Sequence, residues 1–138
     1  MVVVDGAGVP LGGYLDSASP AEITLLERTL WMIRVPRSGP GRPRSKPERV
    51  IGDKAYDSDA HRERLAAQGI ELIAPNRSNR GKTQDGRSLR RYRRRWIVER
   101  TISWIGRFRR LVVRYDRDIL VYQAFFHLAC ALIVLRRL

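Results

Sequence analysis

The sequence RSLRRYRRRWIVERTISWIGRFRRLVVRYDR, from Arg87 to Arg117, is the stretch on which the interpretation of the whole chain depends. It contains twelve arginines and only two acids, Glu99 and Asp116. At about 100° per residue, its apolar side chains fall on one sector of a helix, which is typical of a buried stripe. The stripe consists of Ile97, Thr101, Trp104, Ile105, Phe108, Leu111, Val112 and Tyr115. The stretch therefore predicts a long helix that is interrupted near residues 115–118.

The opposite side of this predicted helix carries a single carboxylate among basic residues. Its members are Tyr92, Arg95, Glu99, Ser103, Gly106 and Arg110. In one interpretation Glu99 forms an intrahelical ion pair with Arg95, a contact worth only a few tenths of a kcal/mol at an exposed position. In the other, Glu99 is a catalytic or metal-binding acid placed where a polyanionic substrate is attracted. The helix alone favours the ion pair, and the rest of the chain favours the acid.

The composition indicates one domain, or a part of one, with a polyanionic partner. The chain has 138 residues, a formal charge of +13 and 43% hydrophobic residues. Because neutralised phosphates release counterions, this charge favours binding to nucleic acid, and the interleaved aromatic residues favour DNA over a membrane surface. The apolar run Ile119–Leu135 contains Gln123 and His127 and predicts a buried terminal helix rather than a membrane span. With no signal peptide, we expect a cytoplasmic, nucleoid-associated protein with no membrane partner.

The order of predicted elements is β-β-α-β-α-β followed by helices, which indicates an α/β fold. The predicted segments are a hairpin (1–15), a helix (19–35), a basic proline-rich loop (36–48), a β-α-β unit (49–75), a loop (76–87) and the terminal helices (88–138). Asp5-Gly6 is typical of a hairpin turn. The sequence from Ser19 to Glu22 forms a capping box with proline at the first helical position.

Asp53 ends the first strand of the β-α-β unit, where α/β folds place reactive groups. If Asp53 and Glu99 converge, their oxygens can hold a divalent ion, which suits phosphodiester chemistry. Asp57 and Asp59 are alternative ligands, but their position at the start of a helix favours capping, and either Asp57 or Ser58 is the expected cap.

Two motifs resemble those of bacterial insertion-sequence transposases of the DDE type. The sequence IGDKAYDS, Ile51–Ser58, is similar to the second-aspartate motif of that family, and RRWIVERT, Arg94–Thr101, is similar to its glutamate helix. Tyr92, Arg95 and Glu99 match the first three positions of a Tyr-Arg-Glu-Lys signature. Gly106 stands at the lysine position, so no role is carried over to it.

The resemblance implies an RNase H-like mixed sheet flanked by helices, with a helical C-terminus. It implies Mg²⁺- or Mn²⁺-dependent DNA cleavage and strand transfer at insertion-sequence ends. Asp53 and Glu99 would be the catalytic, metal-binding acids. The implied DNA-binding residues are Tyr92, Arg91, Arg94, Arg95, Arg107 and Arg110.

The strand that carries the first aspartate of the family precedes the hairpin, and no such strand is present in these residues. We therefore expect a C-terminal portion of a DDE catalytic domain, inactive alone, that requires an upstream transposase segment and forms a homo-oligomer when complete. The alternative is a catalytically silent DNA-binding or inhibitory transposase fragment. A basic protein of the membrane surface would instead need an exposed terminal helix.

Overall fold

The computed structural model describes residues 1–16, 22–80 and 88–137. Four strands and five α-helices lie in these ranges. They are β1 (Val2–Val4), β2 (Pro10–Gly13), α1 (Glu22–Trp31), β3 (Arg49–Ile51), α2 (Asp59–Ala67), β4 (Glu71–Ile73), α3 (Trp96–Ile105), α4 (Arg109–Val112) and α5 (Ile119–Leu135). Two 3-10 segments, Lys54–Tyr56 and Ser88–Arg95, precede α2 and α3 respectively.

The strands form two separate pairs. β1 and β2 are antiparallel, with Val2 opposite Gly13, whereas β3 and β4 are parallel, with Val50 opposite Leu72. The α/β class is thus confirmed. The expected single mixed sheet is not formed by the described residues, because no strand of one pair is bonded to a strand of the other.

The hairpin turn is stabilised by Asp5. Its Oδ1 accepts hydrogen bonds from the backbone N–H groups of Ala7 and Val9, each at 2.8 Å. Gly8 adopts a φ of 86°, a left-handed conformation that glycine enters without steric cost. This carboxylate oxygen therefore has a structural role in the turn.

Two apolar clusters hold the elements together. The first joins α1, α2 and the β3–β4 pair through Leu26, Leu30, Ile33, Leu65, Ile70 and Leu72. The second joins α3 to α5 through Ile105, Phe126 and Ile133. The expected helix 19–35 is shorter, since α1 covers Glu22–Trp31, and the predicted capping sequence lies mostly outside the described residues.

The prediction of one long arginine-rich helix was wrong. The segment begins as a 3-10 helix, and α3 ends at Ile105, with Phe108 in an extended conformation before α4. Six arginines within residues 90–95 and 100 repel one another, and Gly106 has low helix propensity. The break turns Phe108 toward the α3–α5 cluster and leaves Val112 and Tyr115 exposed, contrary to the predicted stripe.

Helix α5 starts at Asp118, whose side chain accepts from the N–H of Leu120 at 2.8 Å. Its inner side buries Phe126, Ala129 and Ile133. A second stripe of α5 stays uncovered, comprising Leu120, Ala124, Leu128, Ala131 and Leu135. Across the described ranges, no helix is both long and apolar enough to cross a membrane.

The contact between β2 and α5 predicts that Gly13 tolerates no side chain. A Cβ at Gly13 would lie 2.3 Å from Cε1 of Phe126, whose ring is buried. We expect Gly13→Ala to lower the free energy of unfolding by about 1–3 kcal/mol, as overpacking does in other cores. Urea unfolding followed by circular dichroism measures this change.

The matched control is Gly39→Ala, because a Cβ there meets no atom within 4 Å. We expect its effect to stay within about 0.5 kcal/mol. Combining Gly13→Ala with Phe126→Leu should cost less than the sum of the two single changes, since the smaller side chain relieves the clash. Equal stability of the two alanine variants would contradict this account of the packing.

Candidate active site

A cleft of about 460 Å³ lies between the two strand pairs. β1 and the turn after it form one side, and β3 with the following Gly52 and Asp53 forms the other. Side chains of α1 and residues from Arg94 to Ile102 complete the lining. The open edges of β1 and β3 therefore border the same space.

Asp53 stands at the end of β3 and caps the 3-10 segment that follows. Its Oδ1 accepts from the backbone N–H of Ala55 at 2.8 Å, which fixes the orientation of the carboxylate. Its Oδ2 lies 3.9 Å from Nη1 of Arg95. One oxygen is therefore held by the local turn while the other faces the arginine-rich segment.

The residue before Asp53 allows this turn to fold tightly. A Cβ at Gly52 would lie 2.9 Å from Cγ of Tyr56. The hydroxyl of Tyr56 donates to Glu22 of α1 at 3.4 Å. Burial, followed by the negative charges of Glu22 and Asp53, raises the pKa of Tyr56 above its usual range. Tyr56 thus remains neutral and ties the Asp53 turn to α1.

Glu99 projects from α3 into the same cleft. Its Oε1 accepts a hydrogen bond from Nη2 of Arg95, one turn earlier. Asp53 and Glu99, which are 46 residues apart in sequence, thus contact one guanidinium group. Both carboxylates keep substantial exposure, with 42% and 53% of their side-chain surface accessible. The structure brings the two predicted acids together.

Tyr92 also contacts the guanidinium group of Arg95. The guanidinium carbon lies 5.9 Å from the centre of the Tyr92 ring, and Nη1 lies 3.5 Å from its hydroxyl. The hydrogen bond to Glu99 raises the pKa of Arg95 above its ordinary value, with burial opposing the shift. Tyr92, Arg95 and Glu99 therefore form one contact group, as their helical spacing indicates.

The other predicted DNA-binding arginines are dispersed. Arg94 lines the cleft and donates to the carbonyl of Gly6 at 3.3 Å, and Arg91 lies 3.7 Å from Glu71 of β4. Arg107 follows α3 and lines a separate surface depression. Arg110 pairs with Asp116 at 3.5 Å. The structure does not bring Arg107 and Arg110 to the acidic pair, because the chain turns at Gly106–Phe108.

A clamp between α3 and the hairpin turn positions the glutamate. Arg94, Arg100 and Thr101 donate to the carbonyl oxygens of Gly6, Ala7 and Gly8 respectively, the last two at 2.7 Å. Thr101 is completely buried. Since residues two apart lie on opposite sides of a helix, burying Thr101 directs Glu99 to the outer side, where the cleft opens.

No role for Arg100 was predicted from the sequence, although its spacing from two tryptophans indicates which side chains surround it. Its guanidinium carbon lies 4.8 Å from the ring centres of both Trp96 and Trp104, which precede and follow it by four residues. Side chains at this spacing are neighbours on a helix. The Trp-x₃-Arg-x₃-Trp pattern therefore predicts the stacking, but not the bond to Ala7.

Asp57 has a structural role that differs from both predictions made for it. Ser58 caps α2, while Asp57 is buried and accepts from Nη1 of Arg62 at 2.7 Å and from the N–H of Arg77 at 2.8 Å. Arg80 lies 3.2 Å from the same carboxylate. Burial opposes ionisation, but these donors lower the pKa of Asp57 below its usual value. This network joins the Asp53 turn to the segment after β4.

The donor set suits a hard divalent cation but is small. Within residues 1–16, 22–80 and 88–137, no group of three or more His, Cys, Asp or Glu side chains could hold a metal ion. Two carboxylates at a polar, accessible cleft match the oxygen preference of Mg²⁺ and Mn²⁺, which take remaining ligands from water and phosphate. Asp53 and Glu99 fit such an ion as two of its ligands.

Comparison with known proteins identifies a matching family and similar proteins. The sequence model of the family described as "Transposase DDE domain" matches residues 1–134. A transposase of insertion sequence element IS402 from Burkholderia cepacia is 37% identical over 132 residues, which are 96% of this chain and 60% of that protein. A transposase of insertion sequence element IS6501 from Brucella ovis is 32% identical over 88 residues, covering 63% of this chain and 67% of that protein. The chain therefore spans about 60% of the length of the first relative, and no solved structure matches it.

The buried Asp57 network predicts a pH-dependent contribution to stability. Because the pKa of Asp57 is lower in the folded state, its contribution is fully present above the unfolded value of about 3.9. It is lost as the pH falls through the folded value. We expect Asp57→Asn to lower the free energy of unfolding at pH 7 by about 2–4 kcal/mol, because two arginines lose a buried partner. Urea unfolding at pH 7 and at successively lower pH tests this.

The control is Asp59→Asn, which removes a half-exposed carboxylate that contacts the same two arginines. Its effect should remain below about 1 kcal/mol at any pH. The difference between wild type and Asp57→Asn should begin to shrink below about pH 4, where the carboxyl of the unfolded chain becomes protonated, and should vanish as the pH falls through the lower folded pKa. A difference that is constant with pH would contradict the ionised state of Asp57.

Proposed function

Because this chain belongs to the family of transposase DDE domains, we propose that it acts in DNA transposition, in metal-dependent cleavage and transfer of strands at insertion-sequence ends. The observation that carries this proposal is the convergence of Asp53 and Glu99 on one guanidinium group at an open cleft. These acids come from separate motifs, and no local contact requires them to meet. A metal site with two carboxylate ligands requires both carboxylates to lie near the same position.

In this mechanism Asp53 and Glu99 would hold a Mg²⁺ or Mn²⁺ ion. When bound, the ion lowers the pKa of a coordinated nucleophile and stabilises the charge on the leaving oxygen of the phosphodiester. Ala55 keeps Asp53 oriented through its N–H, and the clamp at Thr101 keeps Glu99 at the cleft. Water would be the nucleophile in cleavage, and the freed 3′-hydroxyl would be the nucleophile in strand transfer.

The arginine-rich segment would bind the DNA backbone. Arg91, Arg94 and Arg95, with Tyr92, lie on the approach to the acidic pair and can bind phosphates of the reacting strand. Arg107 and Arg110 lie farther along the chain and would contact a more distant part of the duplex. Phosphate contacts of this kind orient DNA without reading its sequence.

We further propose an RNase H-like sheet that is completed by one more strand between β1 and β3. Within residues 1–16, 22–80 and 88–137, each of these strands has a partner on one side only, and their open edges border the cleft. An extended segment inserted there would hydrogen-bond to both edges and join the two pairs into one mixed sheet. An aspartate on that segment would lie beside Asp53 and Glu99 and complete the ligand set.

One observation favours a second candidate function. The described residues bring together two carboxylates rather than three. A chain that binds DNA but lacks a complete metal site would be catalytically silent and would inhibit a complete transposase by occupying its DNA. The uncovered α5 stripe favours self-association of the complete enzyme, which gives such a chain a second route to inhibition.

Both candidates predict DNA binding dominated by phosphate contacts. The logarithm of the affinity for a short duplex should fall linearly with the logarithm of the salt concentration, with a slope of about 0.9 per phosphate neutralised. Replacing Arg94 by Gln should reduce that slope by about one phosphate, since Arg94 borders the cleft. Fluorescence anisotropy over a range of salt concentrations measures the slope. Binding that is insensitive to salt would exclude the proposed partner.

Catalysis separates the two candidates. The 138 residues alone should not complete transposition, whereas addition of a strand that carries an aspartate should give Mg²⁺-dependent cleavage of end-sequence DNA. In that completed protein, Asp53→Asn or Glu99→Gln should lower the cleavage rate by at least about 100-fold, since even changes behind a metal ligand cost 10–100-fold. Gel analysis of labelled DNA gives both rates.

The matched control is Asp59→Asn, which changes the same kind of side chain outside the cleft and should leave cleavage nearly unchanged. Changing the aspartate of the added strand to Asn should abolish the cleavage activity that the strand restores. Cleavage that survives Glu99→Gln at full rate would refute the enzymatic proposal, and inactivity of every completed protein that still binds DNA would favour the silent fragment.

A further inference from the structure

The arginine between the two acids suggests how the site is kept from binding metal before DNA arrives. We propose that Arg95 is an exchangeable counter-ion, which neutralises Asp53 and Glu99 in the DNA-free protein and moves to a DNA phosphate when a divalent ion takes its place. This inference rests on the proposed function, because it assumes that the two acids hold the ion. It adds a coupling between the binding of metal and the binding of DNA.

The contacts of Arg95 exceed those of an ordinary intrahelical ion pair. One nitrogen, Nη2, donates to Glu99 within the same helical segment, and the other, Nη1, faces Asp53 at the end of β3. The oxygen of Asp53 that faces Arg95 is not the one bonded to Ala55. The guanidinium therefore lies against one oxygen of each acid, and the Asp53 oxygen that it faces is not engaged by the local turn.

A guanidinium and a divalent ion cannot both occupy this position without repulsion. Two positive groups within about 4 Å repel each other even when they are exposed to water. Each would therefore weaken the bonds that the other makes to the carboxylates. Binding of an ion is therefore more favourable when Arg95 has moved away. Its side chain is 34% exposed, so a rotation toward solvent meets no enclosing core.

DNA offers Arg95 a replacement partner. A phosphate group accepts two parallel hydrogen bonds from a guanidinium in the geometry that a carboxylate uses. Transfer of Arg95 from Glu99 to a phosphate would add one contact to DNA and at the same time free both acids. Because such coupling is reciprocal, DNA would raise the affinity for the ion by the factor by which the ion raises the affinity for DNA.

The first experiment measures Mn²⁺ binding to the 138-residue chain without DNA, by electron paramagnetic resonance of the free ion. We expect R95Q to bind Mn²⁺ about five- to tenfold more tightly than wild type, the range for removing a unit charge some 4 Å from exposed carboxylates. The control is R109Q, which removes the same charge where no ion pair is recorded among the described residues, and its affinity should match wild type. Equal or weaker binding by R95Q overturns the proposal.

The second experiment uses a double-mutant cycle on DNA affinity in the presence of a chelator. Neutralising the acids with Asp53→Asn and Glu99→Gln removes their repulsion of DNA in any background. In wild type, neutralising the two acids also releases Arg95 toward a phosphate. We therefore expect neutralisation to tighten DNA binding by about three- to tenfold more in wild type than in R95Q, which is the usual size of a coupling between contacting charges. Equal tightening in the two backgrounds shows that Arg95 is not exchanged and overturns the proposal.

The Mn²⁺ experiment also distinguishes failure of this inference from failure of the proposed function. If the chain with both acids neutralised binds Mn²⁺ as tightly as wild type, the acids do not hold the ion and the proposed function fails as well. If Mn²⁺ binding requires the acids but is unaffected by R95Q, only the counter-ion inference fails.

Discussion

The placement of the candidate site depends on the contact between α3 and the hairpin turn. Thr101 is buried against the carbonyl of Gly8, and Arg100 donates to the neighbouring carbonyl of Ala7. A turn leaves such carbonyls without backbone partners, and unpaired buried polar groups cost free energy. Satisfying them from α3 fixes the rotation of that helix. Glu99 is consequently held at the cleft although its own side chain is largely exposed.

The other acid is positioned by a different kind of contact. Asp53 caps a short turn, and that turn is joined at Asp57 to the chain after β4 through Arg62 and Arg77. Asp57 is one of three aspartates within seven residues, and only its burial distinguishes it from its neighbours. The two acids of the site thus approach each other because two independent networks each fix one element.

Several arginines that contribute to the net charge of +13 are engaged inside the protein. Arg62 and Arg80 hold a buried carboxylate, and Arg100 binds a backbone carbonyl and stacks between two tryptophans. The net charge counts each of these arginines as equally able to attract a polyanion. The structure divides them into groups that hold the fold and groups that remain available to phosphate, so the charge available to DNA is smaller than the formal charge.

The sequence by itself determined the α/β class, the family and the opposite orientation of Thr101 and Glu99, because the alternation of strand and helix patterns, motif spacing and helical periodicity are local properties of the chain. It predicted a continuous helix through Gly106, which was wrong, since the low helix propensity of Gly106 and the packing of Phe108 against the α3–α5 cluster together end α3 at Ile105. Only the tertiary structure decided that Asp57 is buried and that Arg95 contacts Asp53 as well as Glu99. The reason is physical: these contacts join side chains that are 42 residues apart or lie on different elements, and no local pattern specifies which long-range charges will meet.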